Sequence, residues 1–559
     1  MALRGSRVAA ALTLAGFLAG CTSLPFMDNE PEVPLGTIGH VSGFFGGIAA
    51  DEPQAVLAGR DTLAAGGSAA DAALAMYFTL AVTMPSSAGL GGGGICLTRP
   101  SKEQRVETLD FLGQPSSGPG AKVLVPGNPR GIFVLHAKSG RLNWGELIRP
   151  AENLARFGFR VSRAFAEELK LGEAVLAASP DARALFSKSD GSFVGEGDQM
   201  RRPKLAAFLA RMRSHGPANI HVGAGAELFA AEAERLGFGI TSRDLKATHP
   251  FWRSTIRVGI DSMRYMHFPL PRTPQGTLGA KIAAILLEGD RYADAAPDQR
   301  DHLVAEAIQR AYADQARGFK QVEVKKEFGS SLSGRRTVDL TYTQIDDDYV
   351  EGLMRGYRTG QLTELAVPPG PELPVAHRGG ETSFSVIDKD GGAVACAFSM
   401  NGAFGTGRLA PDSGIFLAGY PSSTAGRDLS LAVLMIEHRF QNKLFMAAAA
   451  TGGASSQAVL TQIAVASAVS GITSVEKPMT RGRVFRDPVR RITYVEQGAG
   501  AAFANRLLRR GHRLQTVPGL SRANIAHTGT GLPVRAPDDP IEFDVESDPR
   551  GFGLAISPG

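Results

Sequence analysis

The chain has 559 residues, 43% of them hydrophobic, which is enough for a large packed core. Its 60 basic residues against 55 acidic ones leave a net charge of only +5, too small and too evenly spread to mark a nucleic-acid-binding protein, and its 67 glycines fall in short clusters rather than a collagen repeat. Arg201 to Arg213 and Arg481 to Arg491 are local basic spots, read as solvated surface because no aromatic-rich basic motif accompanies them.

At the N-terminus, Arg4 and Arg7 precede an apolar run from Val8 to Leu18, which has the length of a signal-peptide core and is short for a membrane span. The run closes on Leu18-Ala19-Gly20-Cys21, which is similar to the lipobox of bacterial lipoproteins, where the cysteine is lipidated and becomes the first residue. Residues 1–20 are therefore expected to be a signal peptide and 21–37 a lipidated tether, polar and proline-containing from Thr22 to Leu35. Thr22 after the cysteine, in place of Asp, points to the outer membrane of a bacterial envelope, with the body lipid-anchored and facing the periplasm.

Glu52 to Ala81 is alanine-rich with helical spacing and breaks at Gly66-Gly67, so it reads as two helices. Gly89 to Gly94 is a glycine-dense turn into a short strand, Ile95 to Leu97. Amphipathic periodicity predicts helices over Asn143 to Phe157, Lys204 to His215, Ala226 to Leu236 and Arg300 to Ala316. Thr382 to Ile387 and Ala393 to Met400 alternate around Asp390-Gly391-Gly392, the pattern of a β-hairpin. Strands over Leu434 to Glu437 and Leu444 to Ala449 follow, then a helix over Ser456 to Ser470. Helices first and strands in the centre predict a layered α/β or α+β body.

Three common chemistries have no support in the residues. No phosphate-cradling glycine loop runs into Lys-Ser/Thr, no histidine pair has metal-ligand spacing, and no Gly-x-Ser-x-Gly elbow occurs. No metal and no cofactor is expected. Cys96 and Cys396 lie in apolar strand-like runs and read as buried thiols rather than a disulfide.

An ordered set of segments is similar to the γ-glutamyltranspeptidase family. It comprises Gly66-Gly67-Ser68-Ala69-Ala70-Asp71-Ala72-Ala73, Ser87-Ala88-Gly89-Leu90 with Gly91 to Gly94, Val125-Pro126-Gly127, Trp144 to Phe159 and His302 to Asp314. Thr382 to Gly391, Phe404-Gly405-Thr406-Gly407, Ser413-Gly414-Ile415, Gly452-Gly453 and Ser547-Asp548-Pro549-Arg550 complete it, so the resemblance covers roughly residues 43 to 556. It implies a four-layer αββα N-terminal-nucleophile hydrolase, with a large-subunit-like region at 38–380 and a small-subunit-like region at 381–559 in one combined fold. It also implies self-cleavage before a threonine, whose hydroxyl then attacks a γ-glutamyl amide. An alcohol needs an adjacent base, which the new α-amine supplies, and backbone N–H groups stabilise the oxyanion. By resemblance, Gly452 and Gly453 are that oxyanion turn and Ser399 matches a threonine near the nucleophile.

The resemblance fails where the chemistry sits. Anchored on Ser385-Val386, the nucleophile position holds Glu381, and Thr382 follows one residue later, where a strand turns its side chain to the other face. Thr382 is the provisional nucleophile. The arginine that grips a substrate carboxylate in the family is Leu112 here, the acidic residue for the substrate ammonium is Ser423, and the paired serines read Ser430-Leu431. Asn401, Ser423 and Ser430 are the candidate substrate contacts. Two functions follow: an amidohydrolase or acyltransferase acting on a γ-glutamyl-like or other acyl amide, with a small-molecule amide or peptide as substrate, or a catalytically silent member that binds a ligand or partner at the envelope. The lipid anchor would place either on a membrane, and neither involves nucleic acid.

Overall fold

Glu381–Asp388 and Ala393–Ser399 form the hairpin that the alternation predicts, and every residue of the second strand is buried. A strand enclosed on both faces reads as a nearly continuous apolar run, and Ala-Val-Ala-Cys-Ala-Phe-Ser fits that description. The computed structural model describes residues 46–558 except 217, 271–273, 317–342, 368–374, 422–429, 470–473 and 535–540. The expected signal peptide, Cys21, the tether and Ser423 lie outside the described residues.

The hairpin lies at the centre of a seven-stranded antiparallel sheet. In spatial order its strands are Leu554–Ile556, Gly46–Ala50, Glu381–Asp388, Ala393–Ser399, Gly93–Arg99, Glu107–Asp110 and Phe251–Arg253. A second seven-stranded sheet runs Phe543–Ser547, Arg522–Leu532, Leu444–Thr451, Leu431–His438, Arg264–Pro269, Thr255–Gly259 and Thr343–Gln344, with only the last pair parallel.

Side-chain parity shows how the layers stack. Val394, Cys396 and Phe398 pack with the helices Pro53–Ala64, Ala69–Thr83 and Trp144–Phe157. The alternate residues Ala393, Ala395 and Ala397 meet Val433, Met435, Ala447 and Ala449 of the second sheet. The other face of that sheet, with Leu434, Ile436, Ala448 and Ala450, is covered by the helices Leu278–Leu287, Arg300–Ala316 and Ser456–Val469. The order is helix, sheet, sheet, helix, as expected for an αββα sandwich. The layer between the sheets mixes these alanines with larger aliphatic side chains such as Leu97, Ile387, Leu431 and Met435.

The helix Ala69–Thr83 begins where the Gly66-Gly67 break predicts, on a capping box between Ser68 and Asp71, and it is buried along its whole length. The glycine run is a packing device: a Cβ on Gly91 would lie 2.1 Å from the carbonyl oxygen of Phe416.

Two expectations are corrected. Cys96 and Cys396 stand directly opposite each other on adjacent strands and form a disulfide. Two apolar strand runs 300 residues apart gave no local sign that they would be neighbours. The basic spots are only partly solvated, because Arg202, Arg483 and Arg486 are buried. Arg202 donates to the carbonyls of Ala81, Val82 and Gly414, and Arg483 pairs with Asp548 at 2.6 Å. These guanidiniums are structural ties to distant segments.

Candidate active site

The chain enters the strand Glu381–Asp388 through Gly379 and Gly380, and the carbonyl of Gly380 accepts from the Met400 amide. From that point the period of two sends Phe384 and Val386 toward the helices and Ile387 toward the second sheet. Glu381 has the parity of Ile387. Its carboxylate reaches the end of Leu444–Thr451 in the second sheet, where Gly452 and Gly453 donate their backbone N–H groups to one oxygen, Oε2, at 3.1 and 3.2 Å. Both glycines have positive φ, +116° and +103°, which aims the two amides at a common point at little steric cost. The Ser430 hydroxyl also hydrogen-bonds the Glu381 carboxyl. Although the residue as a whole is only half-buried, its carboxyl is enclosed. Burial raises its pKa, and the hydrogen bonds and nearby His377 offset only part of that rise.

Thr382 has the opposite parity and is fully buried. Its hydroxyl donates to Asp51 Oδ2 at 2.9 Å, and the Ser383 amide donates to the same oxygen at 3.1 Å. The structure thus brings Gly452, Gly453 and Ser430 together around Glu381, and places Thr382 beside Asp51 instead. Ser399 is the register partner of Glu381, and its hydroxyl accepts from the Asn401 amide at 2.9 Å. Asn401 follows in a left-handed conformation with φ of +55°. Leu112, where the resemblance calls for an arginine, is packed in the apolar layer between the sheets.

A charged cluster borders this turn that sequence reading did not identify. His377 lies four residues ahead of Glu381, and a Cβ on Gly452 would sit 3.4 Å from its Nδ1. Its Nε2 meets the Glu168 carboxylate, while Arg522 Nη2 reaches that nitrogen at 2.6 Å and Glu168 at 2.8 Å. Arg522 pairs across the ladder with Thr451, next to Gly452. The three residues come from segments 145 to 354 positions apart, so no spacing within a window could reveal them.

Burial by itself would raise the Glu168 carboxyl, but the charges of His377 and Arg522 and their hydrogen bonds outweigh it and hold the pKa at about 2, against an ordinary 4.5. A depressed carboxylate contributes stability that is complete above pH 4.5 and is lost as pH falls toward 2. At about 1.36 kcal/mol per unit, this is of order 3 kcal/mol. Glu168→Gln is therefore expected to lower the urea midpoint at pH 7, and the difference from the wild type should shrink below pH 4.5 and vanish only below about pH 2. Parallel curves across that range would show that the cluster does not hold Glu168 ionised.

The Gamma-glutamyltranspeptidase family model matches residues 55–419, which include the strand head and Asn401 and end before Ser430 and the glycine pair. A relative named glutathione hydrolase proenzyme, from Escherichia coli, is 31% identical over 440 residues, covering 74% of this chain and 72% of that protein. A protein of the same name from Pseudomonas aeruginosa is 27% identical over 408 residues, covering 66% and 67%. Among solved structures, a cephalosporin acylase from Bacillus halodurans matches with a TM-score of 0.72 at 20% identity, over 95% of this chain and 99% of that one, a likeness of fold.

Proposed function

The chain belongs to the γ-glutamyltranspeptidase family, whose members are amidohydrolases and acyltransferases, and from that premise we propose that its reaction centre is the head of the strand Glu381–Asp388 with the Gly452-Gly453 turn. The observation that carries this reading is the convergence of two backbone N–H groups on one carboxylate oxygen, the arrangement that receives an oxyanion in acyl transfer. In the intact chain the Glu381 side chain fills that position. A cut between Glu381 and Thr382 would make Glu381 a chain end, free to leave the turn. It would also give Thr382 an α-amine with a reference pKa of about 7.7–8.0, suited to serve as its base. Thr382 is then the nucleophile, provided that its hydroxyl, which in the intact chain lies beside Asp51 on the other face of the strand, turns toward the glycine pair after the cut; by resemblance Ser399 assists it, and Asn401, Ser423 and Ser430 are the candidate substrate contacts.

The acyl specificity differs from that of relatives named glutathione hydrolase. Leu112 has no charge, and its side chain is packed among apolar neighbours. Ser423 has none to offer a substrate ammonium. Each missing charge-assisted grip is worth roughly 1.5–3 kcal/mol. Together they should lower kcat/KM for glutathione or a γ-glutamyl anilide by on the order of 10²–10⁴-fold relative to an active family member. Turnover at a comparable kcat/KM would overturn this specificity. A second reading, an uncut member that binds a ligand or partner at the envelope, is favoured by one observation, the Glu381 carboxylate seated on both amides.

The lipobox-like Leu18-Ala19-Gly20-Cys21 supports a lipid-anchored location facing the periplasm, with Thr22 favouring the outer membrane. The Cys96–Cys396 disulfide fits an oxidising compartment. Cys21→Ser should shift the protein from the membrane to the soluble fraction. A variant that stays in the membrane with its signal normally removed would contradict the anchor.

A further inference from the structure

The strand Gly46–Ala50 makes its last ladder pair between Ala50 and Phe384, and Asp51 follows immediately. Its carboxylate takes over where the ladder ends. Oδ2 accepts from the Thr382 hydroxyl at 2.9 Å and the Ser383 amide at 3.1 Å, while Oδ1 accepts from Asn524 Nδ2 at 2.9 Å. Asn524 is fixed in turn, donating to the Ser383 carbonyl at 3.1 Å and accepting from the Ser547 hydroxyl at 2.9 Å. Asp51, Thr382 and Asn524 are all buried, at 2%, 0% and 0% exposure. A hydroxyl, a carboxylate within reach of its proton, and an amide orienting that carboxylate make up a nucleophile, base and orienter.

We propose that Asp51 is the general base that drives cleavage of the Glu381–Thr382 peptide bond, with Asn524 as its positioning residue. The inference rests on the function proposed above and adds a catalytic group to it. Burial does not hinder this step, because the electrophile is the carbonyl carbon one residue before the hydroxyl and no substrate has to enter. Thr382 Oγ1 gives its proton to Asp51 Oδ2 and bonds to the Glu381 carbonyl carbon. The C–N bond then breaks, and the proton passes from Asp51 to the departing Thr382 nitrogen, leaving an ester. One water molecule hydrolyses that ester: its oxygen joins the Glu381 carbonyl carbon to give the α-carboxylate, one of its protons restores the Thr382 hydroxyl, and the other passes to the new α-amine. Asp51 ends as it began.

The test follows the small fragment on gels over time, in purified wild type, Asp51→Asn and Asn524→Ser, each with its thermal midpoint recorded and each repeated with hydroxylamine. Hydroxylamine intercepts an ester and leaves a hydroxamate on Glu381, which mass spectrometry detects; a merely structural role for Asp51 would not control that product. Asp51→Asn should slow cleavage on the order of 10²–10⁴-fold, the usual contribution of a general base, with hydroxamate appearing only at the same slowed rate. Asn524→Ser, which keeps the carboxylate, should slow it about tenfold with the same cut and should decide the matter if Asp51→Asn does not fold. A folded Asp51→Asn or Asn524→Ser that is cut as fast as the wild type overturns the role of Asp51 and leaves the proposed function standing. A wild type that stays whole and yields no hydroxamate overturns both.

Discussion

Thr382→Ala is expected to leave the chain in one piece. The variant lacks the hydroxyl that would attack the preceding carbonyl, and loss of a nucleophile costs on the order of 10⁴–10⁶-fold in rate. Glu381→Ala should still be cut at the same bond, because Glu381 contributes its backbone carbonyl to that bond, while its side chain occupies the amides of Gly452 and Gly453. Glu381→Thr places a hydroxyl on the face that looks into the glycine turn, so cleavage should move to the bond before residue 381. N-terminal sequencing of the small fragment distinguishes these outcomes. A Thr382→Ala chain that is still cut between residues 381 and 382 would remove Thr382 as nucleophile.

The second large effect is on stability. Asp548 and Arg483 form an ion pair at 2.6 Å, with side chains 1% and 2% exposed. Asp548 also accepts from the Ala523 amide at 2.9 Å, and Arg550 joins it to Glu496. Removing one member of such a pair leaves the other charge buried without its partner, so Asp548→Ala should cost about 3–5 kcal/mol of unfolding free energy in urea. Replacing both with apolar residues, as in Arg483→Met with Asp548→Leu, should cost less than the single change. Because Ala523 follows Arg522 on the strand beside the glycine turn, loosening this knot should also weaken the Glu168–His377–Arg522 cluster. A loss below about 1 kcal/mol would mean that the pair is dispensable.

The same knot shows what a sequence conceals. Ser547-Asp548-Pro549-Arg550 is visible as part of a resemblance, but its partners Arg483 and Glu496 lie 65 and 54 positions away. Arg481 to Arg491 therefore read as a solvated basic spot. Periodicity, by contrast, is local. The helix at Arg300–Ala316 has the predicted limits, and the hairpin around Asp390-Gly391-Gly392 begins within one residue of the expected start. Strand parity is also local: Glu381 and Thr382 have to face opposite ways, and they do. What each side chain meets is not local. The Glu381 contact with Gly452 spans 71 positions, and the Thr382 contact with Asp51 spans 331. Asp51 follows an apolar strand and carries no motif, so nothing short of the folded chain brings it to the hydroxyl.

The most direct test of the central claim is to resolve the purified mature protein on a denaturing gel and sequence the N-terminus of any small fragment. The account predicts two chains, with the smaller beginning at Thr382. A single intact chain would contradict it, leaving Glu381 seated on the amides of Gly452 and Gly453 and the envelope-binding reading in place.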